Sequence, residues 1–489
     1  MKLSIRTLRP AGLAVIASAF LATSAHGQGV PADAGVSPDA GVPAAAALPV
    51  PITILTSNPG TAPGLIFITP QSTVPTSAHG AQIIDNLGRP VWFNPLPAGI
   101  GATDLRVQSY HGAPVITWIQ SAGQFSTGAT TDYIADQHYN VIATVNAGNG
   151  LIADVHEFHL TPQGTALITA YNTVPADLSS VGGPTSGLVT EGVIQESDVA
   201  SGKVLFEWHS LGHVGLDESH DPVSTSPSVA WDYFHVNAVS LDEDGNYLVG
   251  ARNTWAVYRI DRHSGAVLFR LGGTKSDFTL GPNVAFAWQH NPTSVDDHGL
   301  IRIFDNEASP SVLPYSRVIW VRHDDKNKTA TLERWFKHPD NLQAGSQGNA
   351  EALDNGDTFV EWGALPRFSE FDGNNDLIYD GALPTTYNSY RGYRHEWHAQ
   401  PDTSPTATAT RNDSGDAVVH AVWNGATEVA TWDVIDAVNR AGHGPVASAP
   451  WNGLDTAISV NEVVDSIIVI ARDSNGREIG RSGAVQVAD

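Results

Sequence analysis

The chain has 489 residues, more than one ordinary domain holds unless repeats build a single large body. Acidic residues outnumber basic ones 51 to 26, and the resulting net charge of −25 repels nucleic acid and anionic membrane surfaces, which excludes both as partners. With 46 Gly, 30 Pro, 13 Trp and no Cys, the composition suits many short strands joined by tight turns, not a helical bundle or a disulfide scaffold.

The N-terminus carries basic Lys2 to Arg9, an apolar run from Ala11 to Ala22, and the small-residue stretch Thr23 to Gly27. This is the pattern of a secretory signal peptide over 1–27, its apolar run too brief to span a bilayer. The expected location is therefore secreted or periplasmic. From Gln28 to Pro51 the sequence repeats Asp-Ala-Gly-Val in a Pro/Ala-rich tract with too few large apolar groups for a core, which predicts a flexible tether over 28–51. No later segment is apolar enough to cross a membrane.

Beyond the tether one element recurs: an Asp, a short polar turn, then an apolar strand. Asp85 precedes Val91 to Phe93, Asp136 precedes Val141 to Val145, and Asp198 precedes Val204 to Phe206. The pattern returns at Asp261 before Val267 to Phe269, at Asp324 before Thr329 to Trp335, and at Asp372 before Leu377 to Tyr379. A second hairpin is interleaved with it, turning at Gly112, Gly164, Gly245, Gly299 and Gly356, with a degenerate sixth copy around Ser389 to Trp397. Two hairpins make four strands, and a unit recurring every ~50–60 residues has the length of a propeller blade. The predicted fold is all-β: a six-bladed β-propeller over 52–400. Stacked β-sandwiches are the competing reading, and they lack a fixed long period.

After Pro401 the composition shifts to short Thr/Ala/Val alternation, at Thr406 to Thr410, Val418 to Val422 and Ile467 to Ala471 among others. This predicts a small Ig-like β-sandwich over 401–489, with nothing catalytic in it.

The strand that opens each second hairpin is the innermost of a blade and lines the channel. Three successive units place His156, His235 and His290 there, each eight to ten residues ahead of the turn glycine. Asn237 lies two residues beyond His235, on the same face of an extended strand. Arg252 follows just past that hairpin and can return a cation to the rim. A single His of this kind is ordinarily a hydrogen-bonded core residue. Three at equivalent positions leave two chemistries open: imidazoles holding a transition metal with a site for water, or imidazoles with Arg252 and Asn237 holding an oxyanion while one imidazole acts as nucleophile. His209, His213 and His220 form a further group in an apparent loop, and Asp372 to Asp376 resembles the start of a calcium loop without its glycine; a solvated insertion and a plain hairpin turn are the expected readings.

Five segments in order carry a family resemblance: Asp154 to Phe158, Tyr233 to Asn237, Ala251 to Val257, Leu271 to Gly273, and Trp288 to His290. Together they resemble the arylsulfotransferase family of six-bladed propellers, in its actinobacterial and fungal type, which transfers sulfuryl groups between phenols without the usual nucleotide donor. Phe304 to Asn306, Trp362-Gly363 and Phe368 to Glu370 extend the likeness to roughly Gly64 to Trp397. The resemblance implies that His290 is the nucleophile and carries a transient sulfuryl group. It implies that His235, Asn237 and Arg252 hold the sulfate oxygens and that His156 acts near the phenolic oxygen. Ser346 and Asn349 are the candidates for a further substrate contact from the next repeat. No metal and no cofactor are implied, and the partners are a small aryl sulfate and a phenol. The alternatives are a non-catalytic ligand-binding propeller that keeps the pocket, and a metal-dependent hydrolase or lyase using the His cluster.

Overall fold

A computed structural model describes residues 48–488, apart from 73, 75, 76, 123–128, 297 and 439–443. The predicted signal peptide and nearly all of the predicted tether lie outside the described residues. The fold is all-β: among the described residues the only helical turns are the short 3-10 segments Ser179–Val181 and Leu216–Glu218. Among the described residues no helix is long and apolar enough to cross a membrane. From Ala47 onward the chain forms one compact unit.

Six antiparallel sheets follow the repeat read in the sequence, and each is built on four strands. The second sheet runs in chain order through Ile100–Tyr110, Ala113–Ala122, Thr130–Ala135 and Val141–Val145. The third, fourth, fifth and sixth open on Ala153–Leu160, Val236–Leu241, His290–Ser294 and Asn349–Ala352 and then proceed outward in the same way. The Asp-turn repeat joins the third strand to the fourth in every sheet, and its carboxylate caps the turn. Asp136 Oδ1, for instance, accepts from the His138 and Asn140 backbones at 2.8 and 3.0 Å. Asp372 caps its turn likewise, through Asn374 and Asp376 at 2.8 and 2.9 Å, so this segment is the plain hairpin turn expected of it.

The first sheet departs from the expectation. Leu65–Ser72, Gly80–Ile84 and Pro90–Pro95 supply its outer strands, and its innermost strand is Tyr387–His395, paired from Leu65↔His395 to Ser72↔Tyr387. The segment read as a degenerate sixth hairpin is therefore a single strand that completes the first sheet from the far end of the chain. The pairing spans more than 300 residues, so no local turn signal marks it. In return, Thr53–Ser57 from the N-terminal side adds a fifth strand to the outer edge of the sixth sheet. Each opening strand contacts that of the next sheet in succession, and Tyr387–His395 touches both Ile100–Tyr110 and Asn349–Ala352. The hydrophobic core is divided accordingly, into clusters lying between neighbouring sheets.

Two further sheets follow: Thr406–Arg411, Ala417–Val422 and Asp455–Val460 in one, and Thr431–Asp436 flanked by Ala447–Pro450 and Ser466–Arg472 in the other. Alternation puts Val419, Ala421, Ile458 and Val460 of the first against Trp432, Val434, Ile467 and Val469 of the second in one apolar cluster. This region is fastened to the first sheet. Asn424 exchanges two hydrogen bonds of 2.9 Å with the Phe93 backbone, and Tyr139 donates to Gly425 O at 2.9 Å while stacking on Trp92.

Candidate active site

The three predicted histidines meet at one end of the inner strands, and the backbone around each is arranged to aim its ring. His156 lies within Ala153–Leu160, where the Asp154 carboxylate accepts from both its backbone N–H (3.3 Å) and its Nδ1–H. Asp232 grips His235 in the same way, through the backbone N–H at 3.0 Å and Nδ1–H at 2.5 Å. A carboxylate only accepts, so both rings carry their proton on Nδ1 and turn Nε2 away from the pair. The His156 and His235 rings meet edge to face at 5.1 Å, with Tyr171 and Tyr390 packed against His156 at 6.0 and 5.5 Å. The sequence offered a signal for these carboxylates: each histidine has an Asp two or three residues upstream.

Arg252 reaches the cluster from a turn that only glycine partners permit. The segment Ala251 to Ala256 loops back so that Arg252 N donates to His235 O (3.0 Å) and Asn253 Nδ2 to Asp232 O (2.6 Å). The chain passes so close beneath it that a Cβ on Gly273, at φ +68°, would lie 2.5 Å from Thr254 O, and one on Gly272, at φ +85°, 2.7 Å from Trp255 O. The guanidinium stacks 4.7 Å over Trp288 and donates to Asn253 Oδ1 (2.9 Å) and Gly345 O (3.4 Å), leaving Nε buried with no partner. Burial lowers the Arg252 pKa, and the charges of Asp221, Asp232 and Tyr171 oppose that shift. An unneutralised guanidinium end beside imidazoles is a fixed positive site for an oxyanion.

His290 opens its strand and is almost wholly buried. Its Nδ1 faces Asn306 Oδ1 at 2.7 Å and Trp288 O at 3.2 Å, while the Gln347 backbone N–H donates to its Nε2 at 3.1 Å. Burial, then the positive charge of Arg252, drive its pKa well below the ordinary imidazole value, against the opposing hydrogen bond it donates to Asn306 Oδ1. His290 is thus neutral, with Nε2 as its lone pair. Asp154 is the reverse case: burial alone would raise its pKa, but the charge and hydrogen bond of His156 hold it below the usual carboxylate value.

The other predicted contacts fall differently. His235 sits just before its strand with φ +53°, so the two-residue alternation that put Asn237 on its face does not operate. Asn237 is fully buried and its Nδ2 donates to Gln289 O at 2.7 Å. Asn349 clamps the first and sixth sheets together, exchanging bonds of 2.9 and 3.0 Å with Gly392. Ser346 is half-buried in the loop whose Gly345 carbonyl accepts from Arg252. Gln347, next in that loop, is the neighbour the sequence did not reveal, because its role is made by a backbone N–H held at φ +67°.

A buried ion network links the inner strands. Arg391 donates to Asp104 (3.2 Å), Glu157 (3.0 Å) and Asn237 O (3.0 Å), Arg106 pairs with Glu157 at 2.7 Å, and Tyr393 donates to Asp104 at 2.6 Å. Arg106 and Tyr393 also line a cavity of about 310 Å³ with Gln108, His159, Glu351 and His395. The further group of three histidines is not confined to a loop, since His209 ends the strand Val204–His209. His209 bridges Glu191 and Glu207, His213 packs on Trp208, and His220 stacks on Trp255 with centroids 3.6 Å apart. Among the described residues no group of three His, Cys, Asp or Glu is placed to hold a metal ion.

Residues 106–382, more than half of the chain, match the family described as arylsulfotransferase (ASST), and all seven predicted site residues lie inside that span. No curated protein matches the sequence. Among solved structures, a protein of unknown function from Bacteroides caccae matches at 14% identity and TM-score 0.41, over 68% of this chain and 100% of its own. The β-propeller domain of Cps50 (Swd1) from Myceliophteria thermophila matches at 10% and 0.33, over 74% and 99%. A streptogramin B lyase matches at 13% and 0.31, over 76% and 94%.

Proposed function

The chain belongs to the arylsulfotransferase family, and from that premise we propose that it moves a sulfuryl group from an aryl sulfate to a phenol through a sulfohistidine intermediate on His290. The observation that carries this reading is a buried, neutral His290 beside the Arg252 guanidinium, with two carboxylate-held imidazoles next to them. Attack by Nε2 needs no prior deprotonation, which a neutral imidazole satisfies. As the N–S bond forms, the bond from sulfur to the aryl oxygen breaks and the donor phenolate leaves, taking a proton from an imidazolium at His156. In the second half the acceptor phenol loses its proton to His156, its oxygen attacks sulfur, and the N–S bond returns its electron pair to His290. Arg252 and His235 meet the charge on the sulfuryl oxygens in both halves. The Gln347 N–H leaves Nε2 as the bond to sulfur forms and is then placed to donate to a sulfuryl oxygen.

In the same reading the six sheets are the blades of a closed six-bladed propeller over 52–400. Residues 401–489 are a small β-sandwich, and the first 27 residues direct export. The test is direct. Purified protein mixed with 4-nitrophenyl sulfate and a second phenol, without nucleotide, is expected to transfer sulfate with ping-pong kinetics. Quenched at alkaline pH, it is expected to carry one sulfuryl group on the peptide around Trp288 to Thr293. Sequential kinetics with no adduct in an active preparation would sink the double displacement.

A further inference from the structure

The three imidazoles share one tautomer and differ in what holds it. His156 and His235 each give Nδ1–H to a carboxylate, Asp154 and Asp232. His290 gives it to an amide oxygen, and the orientation of that amide is fixed. Asn306 Nδ2 donates to two backbone carbonyls, Ala344 O at 3.2 Å and Gln347 O at 3.0 Å, so its Oδ1 faces His290. The second neighbour of Nδ1, Trp288 O, is also an acceptor, and the donor at Nε2 confirms the lone pair there. Both ring nitrogens of His290 are therefore accounted for, and none of their partners is an anion. The charged or titratable groups that bear on it are Arg252 from the fourth sheet's turn, His235 before that sheet's inner strand and His156 from the third.

We propose that Asn306 is a positioning residue that assigns His290 its role: an uncharged acceptor keeps the ring neutral with Nε2 bare of protons, while carboxylates at the equivalent place make His156 and His235 the imidazoles that can carry charge. The difference between Asn and Asp at the Nδ1 side sorts nucleophile from acid and cation. A carboxylate behind an imidazole stabilises its protonated form, whereas an amide does not. A sulfuryl-transfer site needs both kinds, since a protonated nucleophile has no lone pair and a neutral ring cannot offset sulfate charge. Asn306 also anchors Gln347 and Ala344, so the same side chain sets the ring and the loop that faces it.

The catalytic consequence rests on the transfer reading above; the protonation of the ring does not. The test is Asn306→Asp in the full chain, read in two ways. By ¹⁵N NMR of the histidine side chains without substrate, wild-type His290 is expected as the neutral Nδ1–H tautomer, and the variant is expected to titrate at higher pH. In the transfer assay kcat/KM at neutral pH is expected to fall ~100-fold or more, with the acid limb of the pH profile moved upward and activity recovering as pH rises. A His290 resonance that titrates identically in both proteins overturns the proposal. Altered titration in a protein that transfers no sulfate supports the positioning role and removes the transferase reading instead. Should Asn306→Asp fail to fold, Asp232→Asn at the half-exposed dyad makes the reverse exchange. It is expected to raise KM for the aryl sulfate at least ~10-fold with the His290 tautomer unchanged, and unaltered kinetics there would overturn the proposal equally.

Discussion

The inner strands of the six sheets and the paired sheets after Pro401 solve the same packing problem with opposite materials. The C-terminal pair alternates small and branched apolar residues, and Val419, Ile458, Val434 and Val469 share one apolar cluster, with the Asp433–Arg472 ion pair as its buried charge. The inner strands bury Asp104, Arg106, Glu157, Arg391 and His290 instead. Hydrophobic burial is non-directional and tolerant, whereas a buried charge is stable only while its partners stay in place. The first region is thus replaceable material around a shape. The second is a set of mutually dependent groups whose value lies in where each points.

That contrast breaks most visibly at Arg391, which bonds three inner strands at once. Arg391→Leu is expected to cost ~3–5 kcal/mol by leaving Asp104 and Glu157 uncompensated, measured by denaturant unfolding. Trp432→Ala in the C-terminal cluster is expected to cost a similar ~3–5 kcal/mol by leaving a cavity, yet to leave transfer kinetics at 25 °C unchanged. If the two variants lose activity alike, the regions are not separable in function.

Arg252→Ala sharpens the comparison from the chemical side. The fold is expected to survive, by circular dichroism and thermal midpoint, while the barrier rises by ~3 kcal/mol, the loss typical of one oxyanion donor. Comparable turnover would take Arg252 out of the site. The smallest effect concerns Asp132, fully buried with neither oxygen partnered. Burial, then the charges of Asp104 and Asp154, raises its pKa well above the ordinary value. In the window between the unfolded and the raised folded pKa the native state holds more protons, so stability falls as pH rises. Asp132→Asn is expected to remove that slope and to raise stability at pH 7 by ~1 kcal/mol or more, measured by denaturant unfolding across pH 5 to 7. A variant less stable at pH 7 than the wild type would show that Asp132 is ionised and paired.

How far the site could be read in advance differs residue by residue. The positions of His156, His235 and His290 were legible from the repeat and that of Arg252 from its place just past one hairpin, and the structure brings the four near one another. The alternation that set Asn237 on the face of His235 does not operate, because His235 leaves the extended conformation. Asn349 has both amide groups spent on Gly392, 43 residues further along the chain. Gln347 was invisible, since a backbone N–H has no letter in the sequence.

What the sequence determined by itself is the local grammar: Asp-capped turns, two-residue alternation and the histidines recurring eight to ten residues ahead of their glycines. These follow from forces acting within a few residues, where turn chemistry and side-chain period are decided. Only the tertiary structure decided that Tyr387–His395 completes the first sheet, that Arg391 ties three inner strands together, and that Asn306 rather than a carboxylate stands behind His290. Each of these depends on groups on different strands meeting at hydrogen-bonding distance. The protonation of an imidazole is settled by those neighbours and by burial, neither of which exists until the chain has folded.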